Sequence, residues 1–273
     1  MQSLKLKRIK KVMSIVFCLI LLALTDQLHI NVTAAVVSGS SLSPDSIVSE
    51  GNRYYMNREY DLSAQCYNKV IGMGLVSGEL YYNLGNSYYK QDSLSKAILF
   101  YEKALLLKPG DEDVRQNLAL ANARIIDKID DIPDFFIKRW INEFQGLFSP
   151  DRWAIISLIL FIFALAAFLW FVLSNQYQAK RVGFVLGIIF LAFSFLGILS
   201  MQKRTHKILK SDSAIIMTAS VNAKSSPDEQ STNMFVLHEG TKVTLLDSVQ
   251  HWKEIRIADG NKGWIPETVL EEI

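Results

Sequence analysis

The chain has 273 residues, half of them hydrophobic, with 29 basic and 27 acidic side chains for a formal charge of +2. Residues 1–35 hold five of the basic residues and one of the acidic ones, so the remainder carries 24 against 26, formally −2. A near-neutral chain lacks the electrostatic footprint of a nucleic-acid binder, and neither flank of its central apolar region is long enough for a large enzyme core.

Lys5, Lys7, Arg8, Lys10 and Lys11 precede the apolar stretch Val12–Leu24, the order of the n-region and h-region of a secretory signal. Thr33-Ala34-Ala35 offers small residues for cleavage, but further past the apolar stretch than is usual. Two outcomes stay open for residues 1–35: a cleaved signal peptide and a retained signal anchor. In both, residue 36 onward begins outside the cytoplasm. Cys18 has no lipobox around it, which leaves Cys66 as a packed small hydrophobe with no intrachain disulfide partner.

The prolines fall at seams. Pro44 and Pro109 bracket a region of self-similarity at a fixed offset along the chain. Gly51-Asn52-Arg53-Tyr54-Tyr55 aligns with Gly85-Asn86-Ser87-Tyr88-Tyr89, Ser63 with Ala97, Tyr67 with Tyr101, and Val70 with Ala104. The second copy, with Tyr81, Leu84, Gly85, Tyr88, Ala97, Tyr101, Ala104 and Pro109, resembles the tetratricopeptide repeat, in residue types and in period alike. The first copy is looser, with Glu50 in place of Leu and Leu75 in place of Pro. Gly85 and Ala97 are small, which lets two antiparallel helices approach, and Asp92 and Ser93 are placed to cap the second helix. A third segment, 113–129, keeps Leu118 and Ala119 in phase and reads as a capping helix, so the helical region covers 44–129.

The resemblance implies a concave groove, lined by the first helix of each repeat, that receives polypeptide. Val48, Asn52, Tyr55 and Met56 from the first repeat fall there, with Tyr82, Asn83, Asn86, Tyr89 and Lys90 from the second. The amides are suited to an extended peptide backbone and the phenols to flat apolar contact. Two asparagines match the clamp with which chaperone adaptors hold C-terminal carboxylates, but Val48 and Asp113 replace its basic residues. The competing reading makes these ordinary groove residues, packed on a neighbouring subunit or on nothing.

Over 132–148, Phe136, Trp140, Phe144 and Phe148 recur every fourth residue opposite Lys138, Arg139, Asn142 and Glu143. This is an amphipathic helix suited to the lipid interface, with packing against the repeats as the alternative. Two charge-free apolar runs follow, 153–173 and 182–201, each of the length that spans a bilayer. They predict a transmembrane hairpin in the inner membrane, its short loop carrying Lys180 and Arg181. Parity with the N-terminal signal puts both flanks in the periplasm, outweighing Lys203, Arg204, Lys207 and Lys210, which then lie outside. Gly183, Gly187, Ala192 and Gly197, with Ala164, Ala166 and Ala167, are placed for close helix contact.

Short β-rich runs separated by turn residues occupy 213–273 and predict a small all-β barrel. Leu237-His238-Glu239-Gly240-Thr241-Lys242-Val243, then Trp252, then Gly263-Trp264-Ile265-Pro266, resemble a bacterial SH3-like domain, with Trp252 and Trp264 as its candidate groove. No catalytic or metal-ligating constellation stands out: the four histidines are scattered, and the glycines at 72, 74 and 78 form an inter-helix turn. The expected class is a multidomain membrane protein with an all-α repeat region, a two-helix hairpin and an SH3-like barrel. Neither enzymatic activity nor a cofactor is expected.

The order of signal, repeats, interfacial helix, hairpin and SH3-like domain resembles the BatE family of the Bacteroides aerotolerance operon. That resemblance implies a periplasm-facing adaptor partnered with membrane-anchored von Willebrand A-type proteins and a MoxR-type ATPase, in stress or envelope maturation. The alternative is an envelope sensor or tether that binds peptidoglycan through the SH3-like domain.

Overall fold

The structure, a computed structural model, describes residues 43–129, 140–141, 144–209 and 212–273. The signal and most of the amphipathic segment expected at 132–148 lie outside the described residues.

Three first-of-pair helices start at equal intervals along the chain: α1 (Pro44–Met56), α3 (Gly78–Lys90) and α5 (Glu112–Asn122). Each has an N-cap, Ser43, Ser77 or Asp111, whose side chain accepts the N–H three residues on, at 3.2, 3.0 and 3.4 Å. The second-of-pair helices are α2 (Tyr60–Gly72) and α4 (Leu94–Leu107). The turns between partners repeat as well, with Arg58 at φ 66° and Asp92 at φ 64°.

Gly51 and Gly85 are required by the partner helix. A Cβ at Gly51 would lie 2.7 Å from the Tyr67 ring, and one at Gly85 would lie 2.7 Å from the Tyr101 ring. Both tyrosines are fully buried, beside Ala64 in one repeat and Ala97 and Ala104 in the other. The repeats join through the Ser63–Ser87 hydroxyl pair at 3.1 Å, the Asn68–Tyr88 bond at 2.9 Å and the donation from Gln91 Nε2 to the Tyr60 carbonyl. The capping helix expected over 113–129 ends at Asn122, and residues 125–129 run against the C-terminal sheet.

Among the described residues, two helices are long and apolar enough to cross a membrane: α6 (Pro150–Leu173) and α7 (Tyr177–Leu209). They are longer than the apolar runs, and Lys180 and Arg181 belong to the start of α7, not to the loop. Nothing between Tyr177 and Val182 breaks a helix, so propensity carries it back to within four residues of α6. The seam is made by Ser157, Ala164 and Ala167 against Gly183, Gly187, Ser194 and Gly197. Ser194 Oγ donates to the Ser157 carbonyl at 2.9 Å. Ala166 and Ala192, expected at this seam, are exposed; the serines take their place. The far end of α7 reaches the repeats, where Arg204 donates to the Leu106 carbonyl at 3.2 Å, a cation on the last carbonyls of α4.

The C-terminal region is a seven-stranded antiparallel sheet of order β3-β2-β6-β5-β4-β1-β7. Its strands are β1 (Ser213–Ile216), β2 (Ser220–Lys224), β3 (Asn233–His238), β4 (Lys242–Val249), β5 (Trp252–Arg256), β6 (Lys262–Pro266) and β7 (Leu270–Glu272). The strand ladder is not closed, since β3 and β7 are edges. It curls because the turn after β3 returns to β1: Gly240 N–H donates to the Ile216 carbonyl, and Ile216 N–H to that of Thr241. Ala214, Ile216, Ala223, Leu237, Val243, Ile255 and Ile265 form the core inside the curl. Strands β2 and β7 have no counterpart in the sequence reading. Their Asn, Ala, Lys and Glu residues are poor strand formers, and pairing with neighbours holds them.

Candidate functional site

Tyr67 and Tyr101 reach from the second helix of each pair to an asparagine on the first. Tyr67 O–H donates to Asn52 Oδ1 at 2.6 Å, and Tyr101 O–H to Asn86 Oδ1 at 2.8 Å. Burial pushes both phenols above their ordinary range, which keeps them as proton donors. Helix α5 adds Asn117, whose Nδ2 donates to Tyr82 Oη at 3.0 Å and to Asn86 Oδ1 at 2.9 Å. This network orients the first-helix side chains that form the groove wall.

The groove is a cavity of about 280 Å³. Of the residues the sequence places in the groove, Tyr55, Tyr82, Asn86, Tyr89 and Lys90 line this cavity, joined by Tyr101, Asn117 and Leu120. Val48 packs on the core of the first repeat, and Met56 is exposed outside the lining. Asn52 is exposed outside this lining, with its oxygen held by Tyr67. Asn83 is half-buried outside the lining, and its carbonyl accepts from Ser87 Oγ at 3.0 Å. Asn117 and Leu120 carry no repeat signature in the sequence, because α5 lacks the Gly and Tyr that mark the repeat. A fainter signal was present: Asn117 follows Asn83 by one full repeat, as Asp111 follows Ser77.

The groove ends at α5 because the sheet occupies the place of a further helix. Ile215 of β1 is fully buried in the repeat core with Ile98, Tyr101, Leu118 and Ala121. Gly240, at φ 83°, lies where a Cβ would come 2.6 Å from Ile125 and 3.1 Å from Ile98. Asp127 receives three hydrogen bonds from one corner of the sheet: His238 N–H at 2.8 Å, His238 Nδ1 at 2.7 Å and Thr241 Oγ1 at 2.7 Å. Partial burial pushes its carboxyl up, but the bonds from Thr241 and His238 outweigh this and hold it below the usual carboxylate range. Lys242 Nζ adds an ion pair to Glu102 at 2.7 Å.

On the sheet, Trp252 pairs with Pro266, and Trp264 with Glu254. Ile255 and Ile265 point inward, so the alternation of strand side chains puts both tryptophans on the outer face. They are diagonal neighbours there, both half-buried.

A tetratricopeptide repeat family model matches residues 78–111, which are α3, α4 and the turn that follows. No curated protein matches the chain. The helical region therefore contains a tetratricopeptide repeat, and such a repeat points to a role in protein–protein interaction.

Proposed function

We propose that the chain is a non-enzymatic, membrane-anchored adaptor that presents its repeat groove and an SH3-like sheet together on the periplasmic face of the inner membrane. The observation that carries this reading is the docking of the sheet on the repeats through Ile215, Gly240 and Asp127. Repeats and sheet flank an antiparallel helix pair on opposite sides in sequence, yet they pack together in space. If α6 and α7 cross the bilayer, both flanks emerge on one face. The basic leader Lys5–Lys11 and the apolar stretch after it favour export of that face. Partners are then polypeptides in or beside the membrane. The BatE resemblance suggests von Willebrand A-type proteins and a MoxR-associated assembly in aerotolerance or envelope stress.

A second reading, a tether that binds peptidoglycan, draws on the sheet's outer face. Trp252, Pro266 and Trp264 offer flat apolar surface there, on β5 and β6 rather than on β1, whose Ile215 contacts the repeats. Sedimentation of the chain with purified cell wall, lost on Trp252→Ala, would favour this reading over the adaptor.

The topology is testable by labelling intact cells with a membrane-impermeant maleimide after replacing Cys66 with Ala. Met56→Cys and Val236→Cys lie on exposed sites of the repeats and the sheet. Both are expected to label from outside. Labelling of one alone contradicts the shared face, and protection of both contradicts the periplasmic assignment.

A further inference from the structure

The hydrogen-bond network under the groove determines what the groove has left to offer. Asn117 Nδ2 directs its hydrogens to Tyr82 Oη and Asn86 Oδ1, and Tyr101 O–H also donates to Asn86 Oδ1. The Asn86 oxygen is therefore saturated, while its Nδ2 and the Tyr82 hydroxyl hydrogen have no partner among the described residues. Both residues line the cavity, so its floor presents donors.

The charge of the lining points the same way. Among the described residues, Lys90 has no ion-pair partner and shares the cavity with no carboxylate. Arg124, at the equivalent position of the next repeat, lies over the Tyr89 ring but is paired with Asp92. The acidic residues of α1, α3 and α5 lie elsewhere. Asp45, Glu79, Glu112 and Asp113 sit in the first turns, at the opposite ends, with Glu79 paired with Lys108 at 2.7 Å. Glu50, midway along α1, is outside the lining and paired with Arg53 at 3.3 Å. Donors and one unmatched cation call for a ligand rich in acceptors. The phenols of Tyr55, Tyr82 and Tyr89 call for flat apolar side chains between those acceptors. With Val48 and Asp113 where a terminal-carboxylate clamp has cations, an internal segment fits better than a chain end.

We propose that the groove selects an internal, extended, acidic segment of a partner polypeptide. Backbone carbonyls accept from Asn86 Nδ2 and Tyr82 O–H, and a Glu or Asp side chain pairs with Lys90. This inference rests on the groove-binding reading above and specifies its ligand.

The test uses the full chain in lipid nanodiscs and a capped peptide library with Tyr or Leu at alternate positions and Glu, Gln or Lys between them. Binding is followed by fluorescence anisotropy at low and high salt. At low salt the Glu peptides are expected to bind about fivefold more tightly than the Gln peptides, the scale of one exposed ion pair. That advantage should fade in about 1 M salt, where screening is short-ranged. Lys90→Glu should turn the preference toward the Lys peptides, and Lys90→Arg should keep it. Equal binding of Glu and Gln peptides, or an order unmoved by Lys90→Glu, overturns the acidic selectivity and leaves groove binding standing. Binding of none of the peptides overturns the groove reading itself.

Discussion

Tyr101→Ala should lower the stability of the repeat region by about 3–5 kcal/mol, the usual range for truncating a buried aromatic side chain to Ala. The residue is 1 % exposed, its ring fills the space that Gly85 leaves open, and its hydroxyl holds Asn86. Tyr101→Phe keeps the packing and removes one hydrogen bond, with an expected cost of about 1 kcal/mol. The two variants separate packing from orientation. Thermal unfolding followed by circular dichroism should show a large fall in midpoint for the first and a small one for the second. Equal midpoints for Tyr101→Ala and the unaltered chain would mean that this ring does not hold the helix pair together.

Asp127→Ala should release the sheet from the repeats. It removes the acceptor of three hydrogen bonds and leaves the His238 N–H and the Thr241 hydroxyl unpaired at a contact between two packed elements. Losing hydrogen bonds to a charged group costs about 1.5–3 kcal/mol each at most, and these three are not additive, so about 3 kcal/mol of docking is expected to go. The same contact carries a pH dependence. The carboxyl is held below its unfolded value, so its contribution is fully present above the ordinary carboxylate pKa of about 3.9. It is lost as the pH falls from there through the lowered pKa of the docked state. Amide exchange of β1 and of residues 125–129 should therefore accelerate in Asp127→Ala at neutral pH and in the unaltered chain only under acid. Protection unchanged in the variant would show that the apolar contacts of Ile215 and Gly240 hold the sheet alone.

The parts of this architecture visible in the sequence are those with a period. Glycine against tyrosine at 51/67 and 85/101 recurs because each helix pair solves the same packing problem, and five of the nine residues placed in the groove from that register line the cavity. Asn117 is not marked by that register, because α5 keeps the cap and the asparagine but drops the glycine and the tyrosines. The docking of the sheet has no periodic trace at all: Asp127 and His238 are 111 residues apart, and only the folded chain brings them together. The apolar runs marked two long helices but not their ends, since Lys180, Arg181 and residues 202–206 extend a helix as well as apolar residues do. Expected barrel closure failed on β7, a three-residue strand that pairs with β1 and leaves β3 as the other edge.

The claim that the repeat groove captures polypeptide is tested most directly by the double variant Asn86→Ala, Tyr89→Ala in crosslinked native membranes. Both side chains line the cavity, and neither is among the fully buried residues that hold the repeats. The unaltered chain should carry crosslinked polypeptide partners, and the double variant should lose about tenfold or more of that capture, the equivalent of about 1–3 kcal/mol, with helical content and membrane level unchanged. Undiminished capture by a folded, membrane-inserted double variant would contradict the account and move the binding surface off the groove.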